Sequence, residues 1–238
     1  MSDDPISVNA QSTRPAWHRD LARYAHPNRR KAIWQLVNTL GPYIGLWILM
    51  VYTIKAGVSY WATLTLAVVA AAFLVRIFIF LHDCCHGSFF SSSRANTALG
   101  YVTGIATFTP YHSWRRSHAQ HHATSGNLDR RGVGDIWTMT VKEYQAAPRR
   151  TRVAYRLYRN PLFMFGFGPA VSFLIAQRFF SRGAKRRERV SVLITNLVIL
   201  AIVVLASLTI GFWTYLLIQL PIILVAGALG IWLFYVQH

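Results

Sequence analysis

The stretch LHDCCHGSFF, residues 81–90, joins the end of a long apolar segment to two histidines spaced four residues apart. Residues at positions i and i+4 of an α-helix lie on the same face, so a helix continuing through this stretch would point His82 and His86 the same way. Imidazole is a common protein ligand for iron, zinc, copper and nickel. The stretch therefore predicts a helix that leaves an apolar environment and presents two metal-binding side chains at its end.

Four segments of the chain are long, apolar and almost free of charge. They cover residues 33–54, 59–81, 190–210 and 212–236, and only the second contains a charged residue, Arg76. About 20 apolar residues in a helix suffice to cross the roughly 30 Å hydrocarbon core of a bilayer. Hydrophobic residues make up 53% of the chain and charged residues only 14%, which is unlike a soluble domain of 238 residues. The sequence thus predicts an all-α integral membrane fold with four transmembrane helices.

Two further apolar segments, residues 95–110 and 161–177, are shorter and are interrupted by Gly or Pro. Arginines flank each segment on both sides, so a crossing helix would place one arginine cluster on the far side of the membrane. We therefore expect both to be interfacial or re-entrant segments that do not cross the bilayer.

The distribution of basic residues predicts the orientation in the membrane. The chain has 25 Lys and Arg against 8 Asp and Glu, and seventeen of the basic residues lie between residues 82 and 189. Residues 1–32 are also basic, whereas the connections between consecutive spans are short. By the positive-inside rule, both termini and the central region are predicted to be cytoplasmic. This accounts for the net charge of +17 without a nucleic-acid partner, and the sequence contains no nucleic-acid-binding motif.

A second histidine cluster lies in the same cytoplasmic region. In YHSWRRSHAQHH, His118, His121 and His122 are spaced i, i+3 and i+4, as on one face of a helix. Five imidazoles from two helices are therefore expected to converge just beneath the membrane surface, where they can bind a metal. The alternative is a histidine-rich helix face exposed to solvent. His112, six residues before His118, is interpreted as a neighbour and not as a ligand.

The motif HDCCH also matches the HExxH helix of zinc proteases, with Asp in place of Glu. In those enzymes the acidic residue acts as a general base on a zinc-bound water. Asp83 is one methylene shorter than Glu, and no isolated third ligand is evident. The cluster at His118, His121 and His122 also exceeds what a three-ligand zinc site needs. A zinc protease is therefore disfavoured.

HDCCHGSFF, followed by FTPYHSWRRSHAQHHATSGNLDRRGVGDIWTMTVKEY, resembles the integral-membrane fatty acid desaturase family, in particular its bacterial acyl-lipid Δ12 (omega-6) type. The resemblance runs from about residue 40 to residue 238 and is strongest in residues 81–145. It implies two non-haem irons, with oxygen as oxidant and electrons from ferredoxin or a cytochrome b5-type donor. It also implies a membrane-lipid acyl chain as substrate, held in an apolar tunnel between the spans, and a bacterial inner membrane as location.

The resemblance also assigns metal ligands. The family's first histidine box matches His82 and His86, and its second matches His118, His121 and His122. Family members carry a third box further along the chain than His238, and His238 itself is a candidate ligand.

Acidic residues near the boxes are candidates to orient the ligands. Asp83 is the first, because a carboxylate can hold an imidazole through its other ring nitrogen. Asp129 and Asp135 are further candidates, with a solvated loop charge as the alternative.

These considerations define a domain organisation and a function. We expect residues 1–32 to be a cytoplasmic N-terminal tail and residues 33–238 to be a C-terminally incomplete desaturase domain. A chain of this length is expected to be impaired in catalysis. Two alternatives stay open: a related membrane lipid or carotenoid hydroxylase or ketolase, which would share the histidine boxes, and a non-catalytic metal-binding membrane fragment.

One basic segment outside the boxes predicts an interfacial helix that binds anionic lipid headgroups. A docking surface for an acidic electron donor is the alternative interpretation. The residues concerned are Arg152, Tyr155, Arg156, Tyr158 and Arg159.

Overall fold

The computed structural model describes residues 26–132 and 134–237, and within them every regular element is helical. The helices are α1 (Arg29–Lys55), α2 (Tyr60–His86), α3 (Ser93–Ala106), α4 (Tyr111–Thr124), α5 (Val141–Ala146), α6 (Arg149–Tyr158), α7 (Arg186–Thr209) and α8 (Phe212–Gln237). Between α6 and α7 lies the π segment, Leu162–Arg178, which consists of two wide π-helical stretches and a final 3₁₀ turn.

Helices α1, α2, α7 and α8 are each long and apolar enough to cross a membrane. They coincide with the four predicted spans, so the all-α membrane fold is confirmed. Helix α2 continues past the predicted span and through both histidines to His86. The two segments expected not to cross form α3, of 14 residues, and the π segment, and both are shorter than the spanning helices.

Helix α2 is the central helix of the bundle and packs against α1, α3 and α8. Three alanines of α2, Ala67, Ala70 and Ala71, are fully buried in these contacts. Within a bilayer, small residues favour helix association because they let the backbones approach closely. The same buried cluster contains Met50, Leu74, Ile77, Ile218, Ile222, Ile223 and Ala226.

The end of α2 is fixed by Gly87, which adopts a left-handed backbone conformation with φ 70°. The Gly87 amide donates to the Cys84 carbonyl at 3.1 Å, and the Ser88 amide donates to the Asp83 carbonyl at 3.0 Å. These bonds satisfy carbonyl groups that the helix end would otherwise leave unpaired. His86 is thereby held in the last turn of α2.

Helix α4 is held against the ends of two spanning helices. The Tyr111 hydroxyl, at the start of α4, donates to the Cys84 carbonyl of α2 at 3.2 Å. On the other side, Arg116 Nη1 donates to Glu188 Oε2 of α7 at 2.7 Å. Because the Tyr111 ring is buried, these contacts set the position of α4 and of its histidines relative to α2.

Gly104 of α3 allows this helix to pack tightly against the turn that precedes α4. A Cβ at Gly104 would lie 2.5 Å from the Thr109 carbonyl oxygen, and a backbone atom cannot move aside as the end of a side chain can.

We expect Gly104→Ala to destabilise the protein by about 1–3 kcal/mol, measured as a lower melting temperature in detergent. Gly41→Ala in α1 is the matched control, because a Cβ there meets nothing within 4 Å. Equal melting temperatures for the two variants would contradict this packing.

Helix α6 lies outside the bundle and has an exposed apolar stripe. Val153 and Leu157 point away from the protein, and arginines flank them along the helix. The opposite face carries Tyr155 and Tyr158, whose rings contact Trp137 at centroid distances of 5.2 and 5.9 Å. An apolar stripe bordered by arginines is typical of a helix in the membrane interface. Lipid binding by this helix stays a prediction.

Candidate metal centre

Four histidines from α2 and α4 converge at the end of the bundle. One ring nitrogen from each of His82, His86, His118 and His122 lies within 4.8 Å of the others. His118 Nε2 is central, at 3.0 Å from His86 Nε2 and 3.0 Å from His122 Nε2. Each helix contributes a pair spaced i and i+4, so one face of each helix is turned to the other.

The distances from His118 Nε2 to its two neighbouring nitrogens fit a shared metal ion. A ring nitrogen either donates one proton or accepts one, so His118 Nε2 cannot form good hydrogen bonds to two other ring nitrogens at once. Two nitrogens bound cis to one metal at about 2.1 Å stand about 3.0 Å apart. The observed separations match that value, and imidazole suits iron, zinc, copper and nickel. The donor set therefore fits a histidine-bound metal.

The environment of His118 keeps its imidazole neutral. The residue is only 8% exposed, and Trp114 stacks on its ring at a centroid distance of 4.3 Å. Burial, together with positive charge on His82 or His122, lowers the pKa of His118 to about 3. Metal binding requires a deprotonated ring nitrogen, which a neutral imidazole provides.

Asp83 contacts a histidine of the cluster directly. Its Oδ1 lies 3.1 Å from Nδ1 of His82. If Nδ1 carries the proton and donates to this carboxylate, Nε2 of His82 is the nitrogen left to bind a metal. The structure thus places Asp83 where the orienting role was expected, and the role itself stays a prediction.

His121 does not join the four clustered histidines. Its ring lies 6.3 Å from that of His118, contacts Phe234 of α8 at 5.1 Å, and forms a short hydrogen bond through Nδ1 to Asp135. Successive residues of a helix are turned by about 100°, so His121 and His122 cannot both face α2. The expected convergence of five imidazoles is therefore found for four, with the fifth turned towards α8. His238 lies outside the described residues.

The two loop aspartates have different surroundings. Asp135 accepts the bond from His121 and also accepts the Gly132 amide at 3.1 Å, so the loop after α4 fixes the carboxylate against the imidazole. Asp129 is exposed in the turn that follows α4, where its amide donates to Asn127 Oδ1.

This difference predicts unequal effects of the same substitution. We expect Asp135→Asn to lower metal affinity about 10–100-fold, because the His121 ring loses the carboxylate that orients it. Asp129→Asn is the matched control and should leave affinity unchanged. The measurement is metal content of the purified proteins after dialysis against graded chelator. Equal metal retention by the two variants would argue against an orienting role for Asp135.

An apolar cavity of about 360 Å³ leads from His118 and His121 into the bundle. It lies between α2, α8 and the π segment, and its volume falls within the range of small-molecule pockets. Its apolar lining comprises Leu74, Val75, Phe78, Phe173, Ile223, Ala226, Gly227, Gly230, Ile231 and Phe234. The structure therefore contains a cavity of the kind predicted to hold an acyl chain.

A second pocket, of about 440 Å³, adjoins the apolar cavity at His121, Asp135, Ile136 and Phe234. Its lining is more polar and includes two arginines and several hydroxyl and amide side chains. His121 therefore stands between the apolar cavity and a more polar pocket.

Several residues of the site were not singled out from the sequence. Trp114 precedes His118 by four residues, and that spacing was a usable signal for a shared helix face. Glu188 is the single acidic residue in the basic run KRRER, at residues 185–189. Phe234 and Gly230 had no local signal, because only the packing of α8 brings them to the site.

The fold and the site together define an integral membrane protein with four spanning helices, a histidine cluster suited to metal, and an apolar cavity leading from it. A family model described as fatty acid desaturase matches residues 59–238. The chain is 52% identical over 220 residues to a "Fatty acid desaturase" of Bacillus subtilis (strain 168), an alignment that covers 92% of this chain. The chain belongs to the fatty acid desaturase family.

Other relatives match over shorter regions. The "sn-1 oleoyl-lipid 12-desaturase" of Synechocystis is 32% identical over 93 residues, covering 39% of this chain and 26% of that protein. The "sn-1 acyl-lipid omega-3 desaturase (ferredoxin)" of the same organism is 45% identical over 53 residues, covering 22% of this chain and 15% of that protein. The chain spans 62% of the Bacillus subtilis relative.

Proposed function

We propose that the protein containing this chain desaturates acyl chains of membrane lipids at a histidine-ligated di-iron centre. The observation that carries the proposal is that the histidine cluster borders an apolar cavity, whose lining includes His118 of the cluster and the neighbouring His121. In the balanced reaction, –CH2–CH2– with O2, two electrons and two protons gives –CH=CH– and two waters. Histidine-bound iron supplies the oxidising chemistry, while the protein binds and positions the chain.

The residues take distinct roles in this proposal. His82, His86, His118 and His122 would hold one iron through their converging nitrogens. His121 faces the other side and is assigned to the second iron, together with the predicted ligand His238. The apolar residues of the cavity wall would surround the chain and favour exclusion of water from it.

Finer features of the function rest on resemblance. The Δ12 position of the new double bond is supported by the 32% identity to a 12-desaturase, and ferredoxin as electron donor by the printed name of one relative. A cytochrome b5-type donor is the alternative. The basic central region supports a cytoplasmic site in a bacterial inner membrane.

The test is expression of the full-length gene in a host without its own desaturase, followed by mass spectrometry of the lipid acyl chains. We expect a new double bond that depends on oxygen and iron. A new hydroxyl or keto group would instead favour the related oxygenases. Unchanged lipids, with no preference of the purified protein for iron over other metals, would favour the non-catalytic alternative.

A further inference from the structure

The cavity has a defined depth. On α2 its lining ends at Leu74, which lies about 12 Å along the helix axis from His82 at 1.5 Å per residue. On α8 the lining runs down one face from Phe234 to Ile223, a distance of about 16 Å by the same rise. The two helices therefore end the cavity at similar depths below the histidines.

Beyond this depth the bundle is solid. Leu74 and Ile223 are 1% and 4% exposed and belong to one buried cluster. The cluster continues below them with Ala71, Ile218 and Ile222, which do not line the cavity. Interiors packed in this way resist deformation, so the end of the cavity is a fixed wall.

We propose that Leu74 and Ile223 form the floor of the substrate cavity and set the distance between the methyl end of the acyl chain and the new double bond. The inference rests on the proposed function. An acyl chain that fills the cavity makes dispersion contacts along the whole lining, and an empty deep end would forfeit those contacts, so the chain enters until its methyl group meets the floor. The carbons level with the clustered histidines are then determined by the depth of the cavity.

The first experiment lowers the floor in one variant of the full-length protein and raises it in another. Mass spectrometry then gives the position of the double bond in the product of each variant. Ile223→Ala should increase, by roughly tenfold, the fraction of double bonds placed further from the methyl end. Ala226→Leu, one turn nearer the histidines, should move the double bond in the opposite direction. Ile48→Ala is the matched control, because Ile48 is exposed on the outer face of α1. Unchanged product positions in both cavity variants would overturn the proposal.

A second experiment does not need activity and keeps the inference separate from the proposed function. Saturated fatty acids of graded length are added to purified protein, and the length that raises the melting temperature most is recorded. We expect Ile223→Ala to prefer a longer chain than the unmodified protein, and Ile223→Val, a milder change, to shift the preference the same way. If the same fatty acid length raised the melting temperature most in all three proteins, the proposed floor would be wrong. An inactive unmodified protein with a shifted optimum would overturn only the proposed reaction.

Discussion

Replacing His118 with alanine is expected to remove the bound iron and all desaturase activity. His118 Nε2 lies 3.0 Å from both His86 Nε2 and His122 Nε2, so it is the central donor of the cluster. Loss of a residue that only orients a ligand costs 10–100-fold in metal affinity, so loss of this ligand should cost roughly 1,000-fold or more. The measurements are iron per protein by elemental analysis and product formation in the expression host.

Two further variants make the His118 result specific. His118→Gln preserves more of the ring's volume beneath Trp114, so loss of iron in this variant reflects lost ligation and not lost packing. His112→Ala is the matched control on α4: its ring contacts Tyr101 and Tyr111, and it is not one of the four clustered histidines. We expect it to retain iron. Iron binding by His118→Ala at the level of the unmodified protein would exclude the proposed centre.

Gly230→Leu is expected to abolish product formation while leaving iron binding intact. Gly230 lines the cavity on α8, between Phe234 at the histidine end and Ile223 at the floor. A Cβ at this position meets no atom within 4 Å, so a larger side chain can extend from it into the cavity. Leucine is also a better helix former than glycine, so the helix should not be weakened. We expect at least a roughly 100-fold loss of activity, since the chain can no longer pass the block.

Gly45→Leu is the matched control for this block. Gly45 lies on the exposed face of α1, and a Cβ there also meets nothing within 4 Å. The same residue change thus adds the same side chain outside the cavity, and activity should be unchanged. Melting temperature and iron content of both variants establish that they are folded. Full activity of a folded Gly230→Leu protein would show that the substrate does not use this cavity.

Much of the architecture follows from the sequence, because the bilayer imposes simple rules. A segment such as residues 59–81 has no other way to satisfy its backbone polar groups in hydrocarbon than as a helix, so length and apolarity predict the spans. The spacing of His82 and His86 is also local information, since neighbouring turns of one helix place i and i+4 side by side. The histidine boxes carry the family resemblance for the same reason: they are short and contiguous.

The separation of His121 from His122 required the structure. The sequence pattern places both beside His118, but only the tertiary packing decides that His122 joins the histidines of α2 while His121 contacts Phe234 of α8. The choice between Asp129 and Asp135 has the same origin. Both stand in one polar loop, and the path of that loop brings only Asp135 against His121.

The sequence by itself determined the four spans, the helical histidine pairs and the family, because these depend on composition and on spacing within a few turns. Only the tertiary structure decided the division of the histidines between α2 and α8, and the cavity with its floor. Phe78 of α2 and Phe234 of α8 both line the cavity. They are distant in sequence, so no local pattern relates them. Their proximity depends on how small buried residues let the helices approach, and that is a property of the packed bundle.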